Sequence, residues 1–261
     1  MPTSHPPEPA ALPVVANVSL REVLTALSDG WFDYLAAPGF GIFFSAIYVL
    51  TGICLVWFGA GTVVWAFVLS LGFPLVAPFA AVGLYEVSRR IEGGQPLVWR
   101  QVLGVVFEER RRQVPWVGAI ILIYFLFWTF LAHVVFALFM GPAALINVSS
   151  SMETFLTARG IMMMITELLI GAVFAYFLFC ITAVSLPLLL DREVDFVSAM
   201  VLSVKTVRKN PVSMTVWAAV IALGLLLAMI PMFLGLFVVL PVLGHATWHL
   251  YRRALYLEPD Q

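Results

Sequence analysis

Residues 116–140 read WVGAIILIYFLFWTFLAHVVFALFM, a stretch that contains no Asp, Glu, Lys or Arg. A helix needs about 20 mostly apolar residues to cross the hydrocarbon core of a bilayer. The composition of the whole chain agrees with this stretch, because 62% of its residues are hydrophobic and only 11% are charged. A soluble domain has about 25% charged residues and could not cover so much apolar surface. The chain is therefore predicted to be an integral membrane protein.

Six segments of the chain are long and apolar enough to be spanning helices. They run over residues 41–58, 62–85, 116–140, 161–190, 212–230 and 232–250. The last two meet at Pro231, which either separates two helices or kinks one long helix. A single helix over both segments would overshoot the bilayer, so two helices are predicted.

The basic residues lie almost entirely in alternate connecting segments. If the N-terminus is cytoplasmic, 13 of the 14 Lys and Arg residues fall on the cytoplasmic side, and only Arg159 falls outside. Lys and Arg resist translocation, so this asymmetry predicts that both termini are cytoplasmic and that the number of spans is even. The opening residues lack a basic region followed by an apolar core, which argues against a cleaved signal peptide.

Three cytoplasmic segments carry apolar residues at helical spacing. The first starts at a capping box formed by Ser19 and Glu22, and its apolar stripe consists of Leu20, Val23, Leu24, Leu27, Trp31, Tyr34 and Leu35. The second covers residues 99–112, with Trp99, Val102, Leu103, Val106 and Phe107 on its stripe. The third is predicted to be capped by Asp195 and to place Phe196, Ala199, Met200, Ser203, Val204 and Val207 on one side. Each segment ends at a proline that opens a spanning hairpin: Pro38, Pro115 or Pro211.

The predicted fold class is all-α: a polytopic membrane helix bundle of six transmembrane helices in three hairpins, each preceded by a cytoplasmic amphipathic helix. The three units suggest an internal repeat, since Pro78 and Pro241 each lie eleven residues before an Arg pair. Hairpin proteins also place Pro and Arg near helix ends for topological reasons, so both interpretations stay open. The predicted organisation is a Pro-rich disordered tail over 1–17, a membrane domain over 18–255 and a C-terminal tail over 256–261.

Three stretches of the chain are similar to a known family. They are the N-terminal LSDGWFDYLAAPGFGIFF, the central LPLLLDREVDFVSAM and the C-terminal VVLPVLGHATWHLYRRAL. From about residue 18 to residue 255 the chain resembles a bacterial family of predicted integral membrane proteins, known only as a domain of unknown function. Some members of that family are loosely labelled putative cytochrome c oxidase subunits. The resemblance implies a bacterial inner-membrane protein and supplies no catalytic residues.

Two ionisable residues lie well inside predicted spans, where an unpaired polar group costs several kcal/mol. His133 lies about 8 Å and Glu167 about 11 Å outside the midplane, at ~1.5 Å of rise per residue. Because they share a depth on sequential spans, they are predicted to face the bundle interior and to form an intramembrane polar pair, directly or through a shared water. The functional interpretation is a proton relay or a cation site. The alternative is a buried hydrogen bond, with Glu167 reaching the outer surface.

A second candidate site lies at the inner end of the last span. His245 and His249 are spaced i, i+4 and so share one helix face, which suits a metal. No third ligand of a matching type is evident. The nearest candidate is Glu86, which aligns with His249 in the repeat. Interfacial histidines beside Trp248 are the commoner case. No metal is therefore predicted.

No cofactor is predicted either. A haem held by two histidines needs both ligands at one depth, and His133 and His245 lie roughly 14 Å apart along the membrane normal. An oxidase core also needs several intramembrane histidines, and this chain has four in all, one of them in the N-terminal tail. The sequence thus argues against a catalytic oxidase subunit and leaves an accessory or assembly role open.

The inner face is strongly basic. Its Arg residues are expected to act as lipid and topology anchors, each contributing on the order of 1 kcal/mol near an anionic leaflet. They are Arg89, Arg90, Arg110, Arg111, Arg112, Arg252 and Arg253. If the pairs Arg89–Arg90 and Arg252–Arg253 are diffuse surface charges, replacement of either pair by Lys should be nearly neutral. The net charge of −1 gives no indication of a nucleic-acid partner.

Three functions are weighed. The leading hypothesis is a non-enzymatic membrane protein that packs against lipid, anionic headgroups or a partner complex, such as a respiratory complex. The alternative is a small-molecule or ion transporter that uses His133 and Glu167, which a hydrated cavity reaching them would favour. An intramembrane enzyme ranks third, because the chain contains no P-loop, GxSxG, CxxC or HExxH motif.

Overall fold

The structure is a computed structural model, and it describes residues 13–58, 63–141 and 155–256. This part of the chain forms ten α-helices and one two-stranded sheet. The helices are α1 Leu20–Ala36, α2 Pro38–Phe58, α3 Val63–Glu92, α4 Trp99–Glu109, α5 Val114–Met140, α6 Ala158–Thr182, α7 Ser185–Asp191, α8 Phe196–Lys209, α9 Pro211–Met229 and α10 Leu236–Ala254. The predicted all-α character is confirmed.

Several of these helices have the length and composition of membrane spans. Within the described residues, three stretches qualify: Val114–Met140, Ala158–Asp191 across α6 and α7, and Pro211–Met229. A fourth qualifies if Leu20–Ala36 and Pro38–Cys54 count as one span bent by 101°. The structure therefore contains three to four candidate spans in the residues that it describes.

In the described residues, each of the six predicted spanning segments is largely helical, and Pro231 lies between the last two helices. Helix α9 ends at Met229, and the chain then reverses through Met232 and Phe233, whose φ angles are 53° and 65°. Positive φ is uncommon for residues other than Gly, so this is a turn and not a kink. Helix α10 begins at Leu236, four residues later than predicted.

Helix α1 has three distinct faces. The predicted capping box is present, with the Ser19 hydroxyl accepting from the backbone of Glu22 and the Glu22 carboxylate accepting from the Ser19 backbone. Its buried face is made of Val23, Ala26, Gly30 and Asp33. Most of the predicted apolar stripe is instead exposed, at Leu20, Leu24, Trp31 and Leu35. A third face exposes the polar residues Arg21, Thr25 and Ser28 together with Phe32, whose side chain is 63% exposed.

The three short amphipathic helices pack in a repeated way. Helix α4 packs on α3, α8 packs on α6 and α7, and α1 packs on α10. Helices α4 and α8 therefore pack against long helices that precede them in the chain, whereas α1 packs against the last helix, α10. The stripe of α4 is only partly buried, since Val102 is fully covered while Phe107 is exposed. On α8, Asp195 caps the helix as predicted by accepting from the Ser198 backbone at 2.9 Å.

The two ends of the described chain meet. Val14–Val15 pairs antiparallel with Leu255–Tyr256. Asn210 holds the same segment, because its side chain accepts from the Val18 backbone at 2.7 Å and donates to the Ala16 carbonyl at 3.0 Å. Residues 14–16, which fall within the predicted tail over 1–17, are thus paired with parts of the chain far away in sequence. Residues 1–12 and 257–261 lie outside the described residues.

Helices α1 and α10 cross in direct backbone contact at Gly30. A Cβ atom added to Gly30 would lie 2.5 Å from the Ala246 nitrogen and 2.7 Å from the Val242 oxygen. Small residues at a crossing let helices approach closely, as in membrane helix pairs. This close approach brings the acidic side chains of α1 within reach of the basic side chains of α10.

Candidate functional site

Polar side chains gather at one end of the bundle, where α3, α7 and α10 end and α1 passes beside α10. We call this set the polar rim, and it consists of Asp29, Asp33, Glu86, Ser88, Arg89, Arg90, Glu92, Asp191, Arg192, His245, Trp248, His249, Tyr251, Arg252 and Arg253. Helices α3 and α10 each carry an Arg pair in the last turn. Cations are favourable there because they interact with the helix dipole.

Two arginines of its own helix neutralise Glu86, which is completely buried. Arg89 approaches Oε2 at 2.6 Å through Nη2 and at 2.7 Å through Nε. Arg90 donates from Nε to Oε1 at 2.6 Å and from Nη1 to the Gln101 side-chain oxygen at 2.7 Å. A buried carboxylate without such partners would be strongly destabilising. The cluster ties α4 to the end of α3.

His245 is completely buried on α10, and its Nδ1 lies 2.8 Å from the Ser88 hydroxyl of α3. Its Nε2 is buried with no hydrogen-bond partner in the part of the chain that the structure describes. Ser88 is also fully buried, so a substrate has no access to its hydroxyl. This geometry suits a link between α3 and α10, not a nucleophile activated by a base.

Two acidic residues of α1 bind the end of α10. The Nε2 atom of His249 lies 2.8 Å from Asp33 Oδ2, and both side chains are largely buried. One turn further on, Arg253 Nη2 lies 2.6 Å from Asp29 Oδ2. Both contacts flank the close crossing at Gly30. The buried face of α1 is thereby held against α10 by two polar contacts at its edge.

Glu92 and Asp191 join the ends of α3, α7 and α10. The Trp248 indole donates to Glu92 Oε2 at 2.9 Å, and Arg252 Nε donates to Glu92 Oε1 at 3.1 Å. The Tyr251 hydroxyl donates to Asp191 Oδ2 at 2.7 Å. Arg252 Nη1 also lies 3.6 Å from Asp191 Oδ2. Three helix ends are thus connected by two carboxylates.

The two Arg pairs are not the diffuse surface charges that the sequence predicts. Arg89 and Arg90 bind one buried carboxylate, while Arg252 and Arg253 bind carboxylates on other helices. Only 11% of the Arg90 side chain is exposed. A guanidinium has a planar fork of donors that a Lys ammonium lacks. Replacement of Arg90 by Lys is therefore not expected to be neutral.

Within the described residues of the Arg110–Arg112 run, Arg112 is paired with a carboxylate, whereas Arg110 and Arg111 are not. Arg112 Nη1 binds Glu109 Oε1 at 2.7 Å, while Glu109 Oε2 is buried without a partner among the described residues. Burial raises the pKa of Glu109, and the Arg112 guanidinium opposes that shift. Arg110 lies over the Phe107 ring at 5.6 Å, and Arg111 has no carboxylate partner in the described part of the chain. Arg110 and Arg111 therefore keep charges that can meet an anionic surface.

The predicted inner-face site does not assemble as a ligand set. Both oxygens of Glu86 are bound by arginines, His245 is bound to Ser88, and His249 is bound to Asp33. Among the described residues, no group of three or more His, Cys, Asp or Glu side chains could hold a metal ion. The three residues share the polar rim but serve different helix contacts.

The predicted polar pair lies elsewhere, and its geometry differs from the expectation. His133 is exposed on α5 and does not face the interior, and its Nδ1 lies 2.7 Å from the Thr129 carbonyl of the same helix. Glu167 is half-buried on α6 and within electrostatic range of His133. No hydrogen bond or ion pair joins the two side chains in the residues that the structure describes. A contact through a shared water stays a prediction.

Sequence reasoning missed the acidic partners in the polar rim. Asp29 and Asp33 look like solvent-facing residues of an amphipathic helix, and Glu92 and Asp191 look like ordinary helix-end residues. A signal was available for Asp33, because it lies one turn after Gly30, and Gly in a helix indicates a close contact. For the other three, no local pattern identifies the partner.

The comparisons with known proteins cover the middle of the chain. Residues 66–191 match the family described as Predicted integral membrane protein (DUF2189). The match runs from within α3 to the end of α7, and it includes Glu86 and the first Arg pair. The predicted resemblance to such a family is confirmed over this range, which is narrower than the predicted 18–255. No curated protein and no solved structure matches the chain.

Proposed function

We propose that this chain is a non-enzymatic, six-span protein of the bacterial inner membrane, with both termini in the cytoplasm, that binds the cytoplasmic leaflet through three interfacial helices. The spans are α2, α3, α5, α6 with α7, α9 and α10, arranged as three hairpins. The interfacial helices are α1, α4 and α8. The observation that carries the proposal is the geometry of α1.

Helix α1 has the three faces that an interfacial helix needs. It meets α2 at 101°, so it lies along the membrane plane if α2 crosses the bilayer. The exposed stripe that contains Leu24 and Trp31 points away from α10, while Arg21 and Thr25 are exposed on another side. An interfacial helix buries its apolar face at the headgroup boundary and keeps its polar face in water.

The pairing of the chain ends supports an even number of spans. Val14–Val15 pairs with Leu255–Tyr256, so both ends of the described chain lie on one side of the bundle. An odd number of crossings would place them on opposite faces of the membrane. Six spans satisfy this requirement. The distribution of basic residues also supports an even number of spans, since such residues resist translocation.

Anionic headgroups are the proposed partners of the inner face. The rim arginines are occupied by carboxylates of the chain itself, but Arg110 and Arg111 are exposed and keep their charge. Each such residue near an anionic leaflet contributes on the order of 1 kcal/mol. The transport alternative has less support. A cavity lies between the three hairpins, and its largely apolar wall includes neither His133 nor Glu167.

The topology can be tested with fusions at both ends of the chain. Alkaline phosphatase placed after Gln261 should be inactive, because it folds only outside the cytoplasm, and a fluorescent protein at the same place should be bright. The same pair at the N-terminus should behave identically. Phosphatase activity at one end and not at the other would contradict an even number of spans.

The position of α1 can be tested with two neighbouring cysteines. Leu24→Cys and Thr25→Cys are both exposed, but they lie on different faces of α1. In a chain whose Cys54 and Cys180 are replaced by Ala, each is labelled with a fluorophore and reconstituted with brominated lipids. The Leu24 label should be quenched, and the Thr25 label should respond to an aqueous quencher. Equal responses from both labels would refute the interfacial position.

A further inference from the structure

We propose that the cavity between the three hairpins is a binding site for one acyl chain of a bilayer phospholipid. The proposal rests on the six-span arrangement given above. The cavity has a volume of about 320 Å³ and is partly open to the outside of the bundle. Its wall includes residues of α2, α3, α5, α6, α7, α9 and α10, so it lies where all three units meet.

The cavity lies at the depth of lipid tails. At ~1.5 Å of rise per residue, Ile121 lies about 10 Å from the start of α5, and Leu225 lies about 21 Å from the start of α9. Thr247 lies about 10 Å before the end of α10 by the same rise. The hydrocarbon core is about 30 Å thick, so helix ends at the interface would place the cavity inside it.

The wall of the cavity favours a hydrocarbon over a polar ligand. Most of it is aliphatic, and its space exists because small residues such as Ala77, Ala81 and Gly244 face it. Its polar side chains are two threonines and two tyrosines. Thr182 donates to the Leu178 carbonyl and Thr247 to the Leu243 carbonyl, each at 2.7 Å, and Tyr48 donates to the Ala77 carbonyl at 3.3 Å. The hydroxyl of Tyr85 is then the polar group of the wall that could still meet a ligand.

An apolar cavity of this size is a poor site for water, and it is destabilising if it stays empty. A buried water needs two to four polar partners, and apolar cavities stay dry. An empty cavity is destabilising in proportion to its volume. An opening inside the bilayer instead gives access to lipid tails, which are present at high concentration and need no desolvation. An acyl chain is therefore the occupant that fits the wall, the depth and the opening.

The first test maps photo-crosslinks on the unmodified full-length chain. The protein is reconstituted in phosphatidylglycerol and phosphatidylethanolamine that carries a diazirine in the middle of one acyl chain. After illumination, mass spectrometry should find labels on cavity residues such as Leu225 and Leu243. Exposed residues of α9, such as Leu223 and Leu226, should also be labelled, because they face the bilayer.

The second test fills the cavity and uses a matched control. Ala81→Phe places a ring in the cavity, whereas Ala219→Phe makes the same change at an exposed position of α9. The ring occupies the space that the acyl chain would take, and a tenfold loss of occupancy corresponds to ~1.4 kcal/mol. Labelling of Leu225 and Leu243 should therefore fall roughly tenfold in Ala81→Phe, with no change in Ala219→Phe.

The outcomes separate the two proposals. Labels on the exposed α9 residues without labels in the cavity would overturn the acyl-chain site and leave the six-span arrangement standing. The absence of labels from both sets would overturn the membrane arrangement itself. Cavity labelling that Ala81→Phe leaves unchanged, in a variant that elutes like the unmodified protein, would also overturn the site.

Discussion

The crossing of α1 and α10 at Gly30 makes the sharpest prediction about stability. Gly30→Ala adds one methyl group where the neighbouring atoms belong to the backbone of α10. Its Cβ would lie 2.5 Å from the Ala246 nitrogen, 2.7 Å from the Val242 oxygen and 2.8 Å from the Ala246 Cα. Backbone atoms cannot rotate away as a flexible side chain can. The two helices must therefore move apart.

The size of the effect follows from this separation. Overpacking of a well-packed contact typically costs about 1–3 kcal/mol. A change of 1 kcal/mol shifts the melting temperature of a chain of 150–250 residues by about 2–4 °C, so we expect a decrease of roughly 2–12 °C. The separation should also lengthen the His249–Asp33 and Arg253–Asp29 contacts, which flank the crossing at 2.8 and 2.6 Å.

The assay is the melting temperature of the purified protein in a mild detergent, followed by size-exclusion chromatography after heating. Gly104→Ala is the matched control, because a Cβ at Gly104 would meet no atom within 4 Å. Ala is favoured over Gly inside a helix by about 0.5–1 kcal/mol, so the control should be slightly more stable than the unmodified protein. If Gly30→Ala is as stable as Gly104→Ala, the close crossing does not exist.

Three further predictions concern single side chains. Arg90→Lys should lower the melting temperature, because hydrogen bonds to charged groups contribute about 1.5–3 kcal/mol and one ammonium cannot replace the guanidinium contacts; Arg110→Lys should have little effect. Burial raises the pKa of Glu109, so the folded chain holds this proton more tightly than the unfolded chain, and stability should fall as pH rises above the ordinary value of 4.5. Glu109→Gln should flatten that decline and melt higher at neutral pH. Asp195→Ala should cost about 1 kcal/mol through loss of the helix cap, whereas Asp195→Asn should retain most of the stability.

Each of these has a clear contrary result. Equal melting temperatures for the two Arg→Lys variants would mean that the Glu86 cluster does not need the guanidinium. A Glu109→Gln profile parallel to that of the unmodified protein, between about pH 4 and pH 7, would assign the pH dependence to other groups. A similar loss for the Ala and Asn variants at Asp195 would mean that the cap hydrogen bond is not responsible.

Much of the local structure could be predicted from the sequence. The capping box at Ser19, the cap at Asp195 and the helix starts at Pro38 and Pro211 depend on residues a few positions apart, so local chemistry decides them. The break at Pro231 followed from length alone. The candidate sites were predicted less well. Glu86 was grouped with His245 and His249 through the repeat alignment, but it binds arginines three and four residues further along α3. The two histidines bind Ser88 and Asp33 on other helices.

The sequence by itself determined that the chain is helical and suited to a bilayer, because hydropathy and helical period are properties of consecutive residues. Only the tertiary structure decided which helix faces meet. In lipid, apolar side chains gain little by choosing one apolar neighbour over another, so hydropathy does not select partners. Close backbone approach and hydrogen bonds make that choice, as when Gly30 lets α1 touch α10 and Asp29 bind Arg253, 224 residues away along the chain. The polar rim and the central cavity exist only as results of that packing.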